Sequence, residues 1–171
     1  MKQKGFTLIE ILIVITIIGV LASIIYSSVN SAREKAKIAS ARIEVKQIFN
    51  SIAILENDTG EWPGHKKPYE IERAMGSNEI CGDGCTYGLN DCRSGLVCNP
   101  EPPDDYTNWQ GPYLKEIPED PWGNDYFFDT DYDVDPGSGI KWGIVVGSYG
   151  PNETGNNLYD NDDIIYILSS E

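Results

Sequence analysis

Regularly spaced aspartates are the first pattern in this chain that suggests chemistry. The segment D-T-D-Y-D-V-D-P-G, residues 129–137, carries a carboxylate at every second position, as the start of an EF-hand calcium loop does. That loop also needs Gly at its sixth position and Glu at its twelfth, and this chain has Val134 and Ile140 there. We therefore expect an acidic, solvated turn in this segment rather than a cation site.

A second group with chemical potential is a set of four thiols in a loop rich in Gly, Asn and Asp: Cys81, Cys85, Cys92 and Cys98. Four thiolates can bind zinc, but the spacing C-x3-C-x6-C-x5-C lacks the paired C-x2-C knuckles of structural zinc sites. Disulfides are favoured if this part of the chain lies outside the cytoplasm. Three pairings are possible, and we expect Cys81 with Cys92 and Cys85 with Cys98.

The composition argues against several classes of function. The 171 residues carry a formal net charge of −14, whereas a surface that binds nucleic acid needs an excess of basic residues. His65 is the only histidine, which removes most schemes with a histidine general base and all histidine-rich zinc sites. We expect His65 in a solvated loop, and we expect no enzymatic activity because no catalytic constellation is visible.

The charge is divided unevenly along the chain. The first 50 residues hold seven Lys or Arg and three Glu, a net charge of +4. The rest hold six Lys or Arg and 24 Asp or Glu, a net charge of −18. This asymmetry predicts that the two parts lie in different environments.

An apolar run of 21 residues, 6–26, contains Glu10 as its only charged residue. As a helix it would be about 31 Å long, roughly one hydrocarbon core. A secretory signal peptide is the rival interpretation, but the run is long for one and no small-x-small cleavage site ends it. A carboxylate in such a run costs free energy unless it is paired, so Glu10 is a candidate functional residue. The alternative is that Glu10 snorkels to the interface or is protonated.

The sequence G-F-T-L-I-E, residues 5–10, together with the apolar run resembles the class III prepilin signal of type IV pilins and type II secretion pseudopilins. The resemblance implies cleavage by prepilin peptidase between Gly5 and Phe6, and N-methylation of Phe6. It also implies that Glu10 acts in assembly, where its partner would be the Phe6 amine of the neighbouring subunit in a filament. Such a pair would neutralise a carboxylate that lipid disfavours.

The helix is expected to continue beyond the apolar run. Six residues recur at steps of three and four and form one apolar stripe: Ile38, Ala41, Val45, Ile48, Ile52 and Leu55. The sequence N-D-T-G and then Pro63 ends the helix, and a coiled coil is disfavoured because the stripe is short. The predicted organisation is, in chain order, a leader over 1–5, one helix over 6–57 with 6–26 in the membrane, and a head over 58–171 with a Cys-rich loop over 77–104.

The head carries a second resemblance. The sequence G-P-Y-L-K-E-I-P-E-D-P-W-G-N-D-Y, residues 111–126, is similar to the G-P-Y-L-x-x-x-P-x-D-P-W-G-x-x-Y signature of major pseudopilin heads. Three segments are typical of short strands in an antiparallel sheet: residues 126–128, 140–146 and 164–168. The sheet would pack its apolar face on the stripe of the helix, which predicts an α+β, pilin-like fold.

The segment S-Y-G-P-N-E-T-G-N-N-L-Y-D-N-D-D-I, residues 148–164, resembles the loop by which major pseudopilins bind calcium. The resemblance implies Asp162 and Asp163 as carboxylate ligands and the carbonyl of Tyr149 as a further ligand. Asn152 stands where the family has Asp, which should weaken the site. Oxygen ligands of this kind suit Ca²⁺ better than a transition metal. The alternative is a plain polar loop.

Taken together, the resemblances imply a structural subunit of a helical filament that polymerises through its N-terminal helices, most simply the major pseudopilin of a type II secretion system. They imply prepilin peptidase, an inner-membrane assembly platform and minor pseudopilins as partners, and a single-pass inner-membrane protein with its head outside the cytoplasm. A type IV pilin of an adhesion or motility pilus is an alternative, although such pilins usually have a disulfide-closed C-terminal loop and no Cys follows Cys98. A membrane-anchored calcium-binding module is the other alternative.

Overall fold

The computed structural model describes residue 5 and residues 7–71, 80, 87–155 and 158–170 of the chain. The chain divides into two compact units, Met1–Lys37 and Ile38–Glu171. The long helix α1, Leu8–Thr59, contributes residues to both units. Each unit is built in its own way.

The first unit consists mainly of the N-terminal part of α1, and its side chains are exposed. Residues 7–36 are all exposed, although most of residues 8–26 are apolar. Within the described residues, α1 is the helix long and apolar enough to cross a membrane, with a mean hydropathy of 2.9 over its most apolar window and none of that window buried. A helix that is apolar all round needs an apolar surrounding, either lipid or other helices.

The second unit begins with the rest of α1, whose apolar stripe is buried. The predicted stripe is confirmed, because Ile38 packs against the core and the other five members are buried in it: Ala41, Val45, Ile48, Ile52 and Leu55. Helix α1 ends at Thr59, slightly beyond the predicted end at residue 57. Gly60 follows with a φ of 77°, and its N–H donates to the Glu56 carbonyl at 2.8 Å. Glycine adopts this left-handed cap without strain, so it ends the helix.

Three strands form an antiparallel sheet in the order β1-β2-β3: Phe127–Asp133 (β1), Trp142–Ser148 (β2) and Ile164–Ser170 (β3). Phe128, Val146 and Ile164 lie in the same buried cluster as the stripe of α1. The three predicted strands are confirmed, with shifted ends, and the sheet packs on the helix as expected. The fold is α+β.

The acidic segment 129–137 is not the solvated turn that the sequence predicts. Its first half belongs to β1, and Asp129, Asp131 and Asp133 are at most 4% exposed. The register of β1 against β2 shifts between Asp129 and Tyr132, and the Asp129 carboxylate accepts the N–H of Asp131 at 2.8 Å inside this irregularity. The Asp133 carboxylate accepts the N–H of Lys141 at 3.0 Å, across the hairpin. The carboxylates of Asp129 and Asp133 thus satisfy backbone donors, which allows the strand to accommodate these two residues.

The disulfide of the described part of the head joins Cys92 to Cys98, with 4.7 Å between their Cα atoms. The expectation that this region contains a disulfide is confirmed, but the predicted partners of these two residues are wrong. A 3-10 helix over Cys92–Ser94 and a left-handed Gly95 turn the chain back on itself within six residues, which brings the two thiols together. Cys81 and Cys85 lie outside the described residues.

Tyr106 fixes this disulfide loop to the turn that follows α1. Its hydroxyl accepts the N–H groups of Gly64 and His65 at 2.8 and 3.2 Å and donates to the Arg93 carbonyl at 2.9 Å. Burial raises the pKa of Tyr106, so it remains a neutral donor.

The exposed His65 ring stacks on the Tyr106 ring, and its two nitrogens contact Glu61 at 2.6 Å and the Asp104 carbonyl at 3.0 Å. His65 therefore has a structural role in this turn.

Candidate functional site

Glu10 is bound to the first residues of its own helix. Its Oε2 accepts the backbone N–H of Thr7 at 2.8 Å and the Thr7 hydroxyl at 2.7 Å, and the Thr7 hydroxyl in turn lies 3.4 Å from the Glu10 N–H. This reciprocal arrangement is a capping box, with Thr7 before the helix and Glu10 three residues later. The sequence analysis missed it, although the T-x-x-E pattern is visible. The donors are neutral, so the negative charge of Glu10 is stabilised but not cancelled.

The residues around the predicted processing point are only partly described. Gly5 is exposed, with no atom within 4 Å of the position that a Cβ would occupy. Phe6 and the rest of the leader lie outside the described residues. Cleavage after Gly5 and methylation of Phe6 therefore stay predictions from the sequence, with Gly5 open to solvent.

The D-P-W-G signature is a turn built around one buried carboxylate. Asp120 Oδ1 accepts the backbone N–H groups of Trp122, Gly123 and Asn124 at 2.9–3.0 Å. Asp120 is 4% exposed, so these bonds are shielded from water and are stronger than surface hydrogen bonds. The acid of the signature thus organises the turn that follows it.

Ser148, the last residue of β2, connects this turn to residues 149–163, which we call the C-terminal loop. The Ser148 hydroxyl donates to Asp120 Oδ2 at 2.6 Å and accepts the Gly150 N–H at 3.1 Å. Ser148 is fully buried. The D-P-W-G turn and the C-terminal loop are therefore connected through the buried pair of Asp120 and Ser148. The two residues are far apart in the sequence, so the sequence does not predict this contact.

Two glycines hold the acids of the C-terminal loop against its backbone. Gly150 has a φ of 66°, and a Cβ there would lie 2.1 Å from the carbonyl oxygen of Asp162. Gly155 has a φ of 134°, and a Cβ there would lie 2.8 Å from Asp163 Oδ1. A side chain at position 150 would collide with the backbone, and one at position 155 would displace the Asp163 carboxylate and require an unfavourable positive φ.

Asp163 is the buried acid of the C-terminal loop. Its Oδ2 accepts the Tyr132 hydroxyl and the Asp160 N–H, each at 2.7 Å. Its Oδ1 is buried and has no hydrogen-bond partner among the described residues. Burial raises the pKa of Asp163 to about 6, although the two hydrogen bonds act in the opposite direction. Burial also raises the pKa of Tyr132, which stays a donor to this carboxylate.

Asn152 lies between two other acids of the loop. Its side-chain nitrogen donates to Asp160 Oδ2 at 2.6 Å and to Asp162 Oδ1 at 2.8 Å, and its backbone N–H donates to Asp162 Oδ2 at 2.9 Å. Its side-chain oxygen accepts the N–H and the hydroxyl of Thr154 at 2.7 and 2.8 Å. Every polar atom of the Asn152 side chain is therefore used inside the loop.

The predicted calcium ligands lie in one loop but do not form a cation site as they are arranged. Asn152 turns its amide nitrogen, and not its oxygen, toward Asp162, and a cation would need an oxygen there. Asp163 Oδ1 has the chemistry of a ligand, and Tyr149 stacks its ring on Phe127 at 4.5 Å. Across the described ranges, no group of three or more His, Cys, Asp or Glu residues is placed to hold a metal ion. Calcium binding by this loop stays an expectation from the resemblance, and the orientation of the Asn152 amide argues against it.

Two family models match the chain. The prokaryotic N-terminal methylation motif matches residues 1–26, and the model of type II secretion system (T2SS) protein G matches residues 91–166. The second match begins before Cys92, so it includes part of the Cys-rich loop. The crystal structure of the major pseudopilin from the type 2 secretion system of enterohaemorrhagic Escherichia coli is 20% identical, with a TM-score of 0.47 over 79% of this chain and 86% of that chain. That likeness is too distant to add to the assignment.

Three curated relatives cover most of the chain. Type II secretion system core protein G of Dickeya chrysanthemi is 30% identical over 165 residues, 96% of this chain and 85% of that protein. The protein of the same name from Escherichia coli strain K12 is 31% identical and covers 88% of this chain and 83% of its own length. That of Pseudomonas aeruginosa is 30% identical and covers 73% and 72%. Identity at this level over nearly the whole length shows that the chain belongs to the type II secretion system core protein G family.

Proposed function

We propose that this chain is the repeating subunit of a type II secretion filament, cut after Gly5, methylated on Phe6 and polymerised through the N-terminal part of α1. The observation that carries the proposal is the exposed apolar N-terminal part of the helix with a single acid near its start. Membership of the protein G family supports the same role.

The burial pattern of α1 is compatible with a helix that lies first in lipid and then against other helices. Residues 7–36 bury nothing against their own chain, so their apolar surface must be covered by lipid before assembly and by other helices afterwards. The hydrophobic effect, about 25 cal/mol per Å² relative to water, keeps this surface out of water, but it is similar in lipid and between helices. The helix would therefore exchange one apolar environment for another as the filament grows.

Glu10 would make this exchange specific. The donors of the capping box are neutral, so an ionised Glu10 would keep its negative charge at the start of the helix. Cleavage after Gly5 would create a positively charged amine on Phe6, and in an apolar surrounding such a charge has a strong preference for a carboxylate. A pair between Glu10 of one subunit and Phe6 of the next would fix the register between neighbouring helices.

The rest of the role follows from this assembly. The head would be carried on the outside of the membrane, and prepilin peptidase would remove the leader on the other side. An inner-membrane assembly platform would add subunits, and minor pseudopilins would share the filament. The acidic head belongs to the part of the chain after residue 50, whose net charge is −18, and it would then form the filament surface.

The form of the N-terminus in membranes tests the processing step. We expect intact-mass and peptide measurements on the membrane-bound protein to give a chain that begins at Phe6 with one added methyl group. A Gly5→Lys variant should keep its leader, because a long charged side chain would replace the small residue at the cut. A chain that begins at Met1, or one that is cut near residue 26, would contradict the proposal.

A further inference from the structure

The Asn152 side chain connects the start of the C-terminal loop to Asp160 and Asp162, which lie eight and ten residues later in the chain. Three of its N–H bonds go to Asp160 and Asp162, at 2.6 to 2.9 Å, and two bonds to Thr154 hold its oxygen in place. Because both ends of the amide group are fixed, the side chain has one orientation. That orientation points its donors at two carboxylates.

These carboxylates need a neutralising partner. Asp160, Asp162 and Asp163 occur within four residues, in a part of the chain whose net charge is −18. Like charges at this spacing repel one another, and the repulsion opens a loop unless donors or a cation bridge them. The Asn152 amide supplies positively polarised hydrogen atoms between two of the three. Asp163, the third, is bonded to Tyr132 and to the Asp160 N–H.

We propose that the Asn152 side chain takes the place of a bridging cation in this loop, so that the loop closes without a divalent metal, and that Asn152 decides whether it depends on one. An Asp at this position would remove the two side-chain N–H donors and add a third carboxylate to Asp160 and Asp162. The loop would then need a cation to close. This proposal does not rest on the proposed filament function.

Thermal unfolding of the full-length protein in detergent, with EDTA or with millimolar CaCl₂, tests the proposal. We expect the Tm of the unmutated chain to change by less than about 2 °C between the two conditions. Asn152→Asp should lower the Tm in EDTA by about 5 °C or more, and calcium should restore most of that loss, whereas MgCl₂ should restore less. Asn152→Ala, which adds no charge, should lower the Tm in EDTA by a smaller amount.

Asn161→Asp is the matched control, because Asn161 is exposed in the same loop and the substitution adds the same charge. It should lower the Tm in EDTA by clearly less than Asn152→Asp does, because it adds a charge next to the same acids but removes no bridging N–H donor. A large loss of Tm on chelation in the unmutated chain would overturn the proposal, as would equal behaviour of Asn152→Asp and Asn161→Asp. If Asn152→Asp does not fold in either buffer, the comparison of Asn152→Ala with the unmutated chain still tests the proposal. Equal Tm values for these two proteins in EDTA would contradict a bridging role of the Asn152 side chain.

Discussion

Replacement of Glu10 by Ala should reduce filament yield at least tenfold while the protein still inserts into the membrane. Removal of a charge from an apolar helix makes insertion easier, by about 2–3 kcal/mol on insertion scales. Assembly should nevertheless fail, because the Phe6 amine of the adjoining subunit loses its counter-charge and would be buried unpaired, which costs about 3–5 kcal/mol. Membrane fractionation measures the first effect, and the amount of protein in sheared filaments measures the second.

The capping box makes it necessary to separate the charge of Glu10 from its hydrogen bonds. Glu10→Gln keeps an oxygen that can accept the Thr7 N–H but carries no charge, and Thr7→Ala removes the hydroxyl but keeps the charge. If the charge pairs with the next subunit, Glu10→Gln should be nearly as defective as Glu10→Ala, and Thr7→Ala should form filaments. The reverse result would mean that Glu10 acts as a helix cap and that the proposed pairing with Phe6 is wrong.

Asp120→Ala should strongly destabilise the head. The change removes the acceptor of three backbone N–H groups and of the Ser148 hydroxyl, all in a place shielded from water. Each unsatisfied buried donor costs about 1–3 kcal/mol, and some will find water after relaxation, so we expect a loss of about 3–5 kcal/mol in the free energy of unfolding. Denaturant unfolding followed by Trp fluorescence measures it.

Two further variants serve as controls for Asp120→Ala. Asp120→Asn keeps one acceptor oxygen and should lose roughly half as much, about 2 kcal/mol. Asp105→Ala removes an exposed Asp from the same head and should stay within about 0.5 kcal/mol of the unmutated protein. If Asp120→Ala is no more destabilising than Asp105→Ala, the turn does not depend on this carboxylate.

The sequence predicted the parts of the fold that a repeating pattern determines. The stripe from Ile38 to Leu55 was predictable because every third or fourth residue is apolar, and the structure buries it. The strand ends were less certain, because β1 continues into Asp129 and Asp131, which carry the charge typical of a loop. Asp129 is accommodated because its carboxylate accepts the Asp131 N–H within the bulge, a contact that cannot be inferred from the local sequence pattern.

The contacts at the candidate sites depend on residues far apart in the sequence. The hydrogen bond between Ser148 and Asp120 joins two segments whose sequence patterns do not indicate a contact between them. The pairing of Cys92 with Cys98 depends on the backbone of Gly95, which the spacing of cysteines does not reveal. The Thr7 cap of Glu10 is different, because T-x-x-E at residues 7–10 is a local pattern that predicts a helix start from the sequence alone.

Electron microscopy of sheared surface and envelope material tests the central claim most directly. The full-length chain would be produced in cells that carry a type II secretion system, and the filaments would be identified by labelling of the head and by the mass of their subunits. We predict helical filaments whose subunits begin at a methylated Phe6 and whose formation requires Glu10. A correctly processed chain that remains unassembled in the membrane, with the whole secretion system present, would contradict the claim that it is a filament subunit.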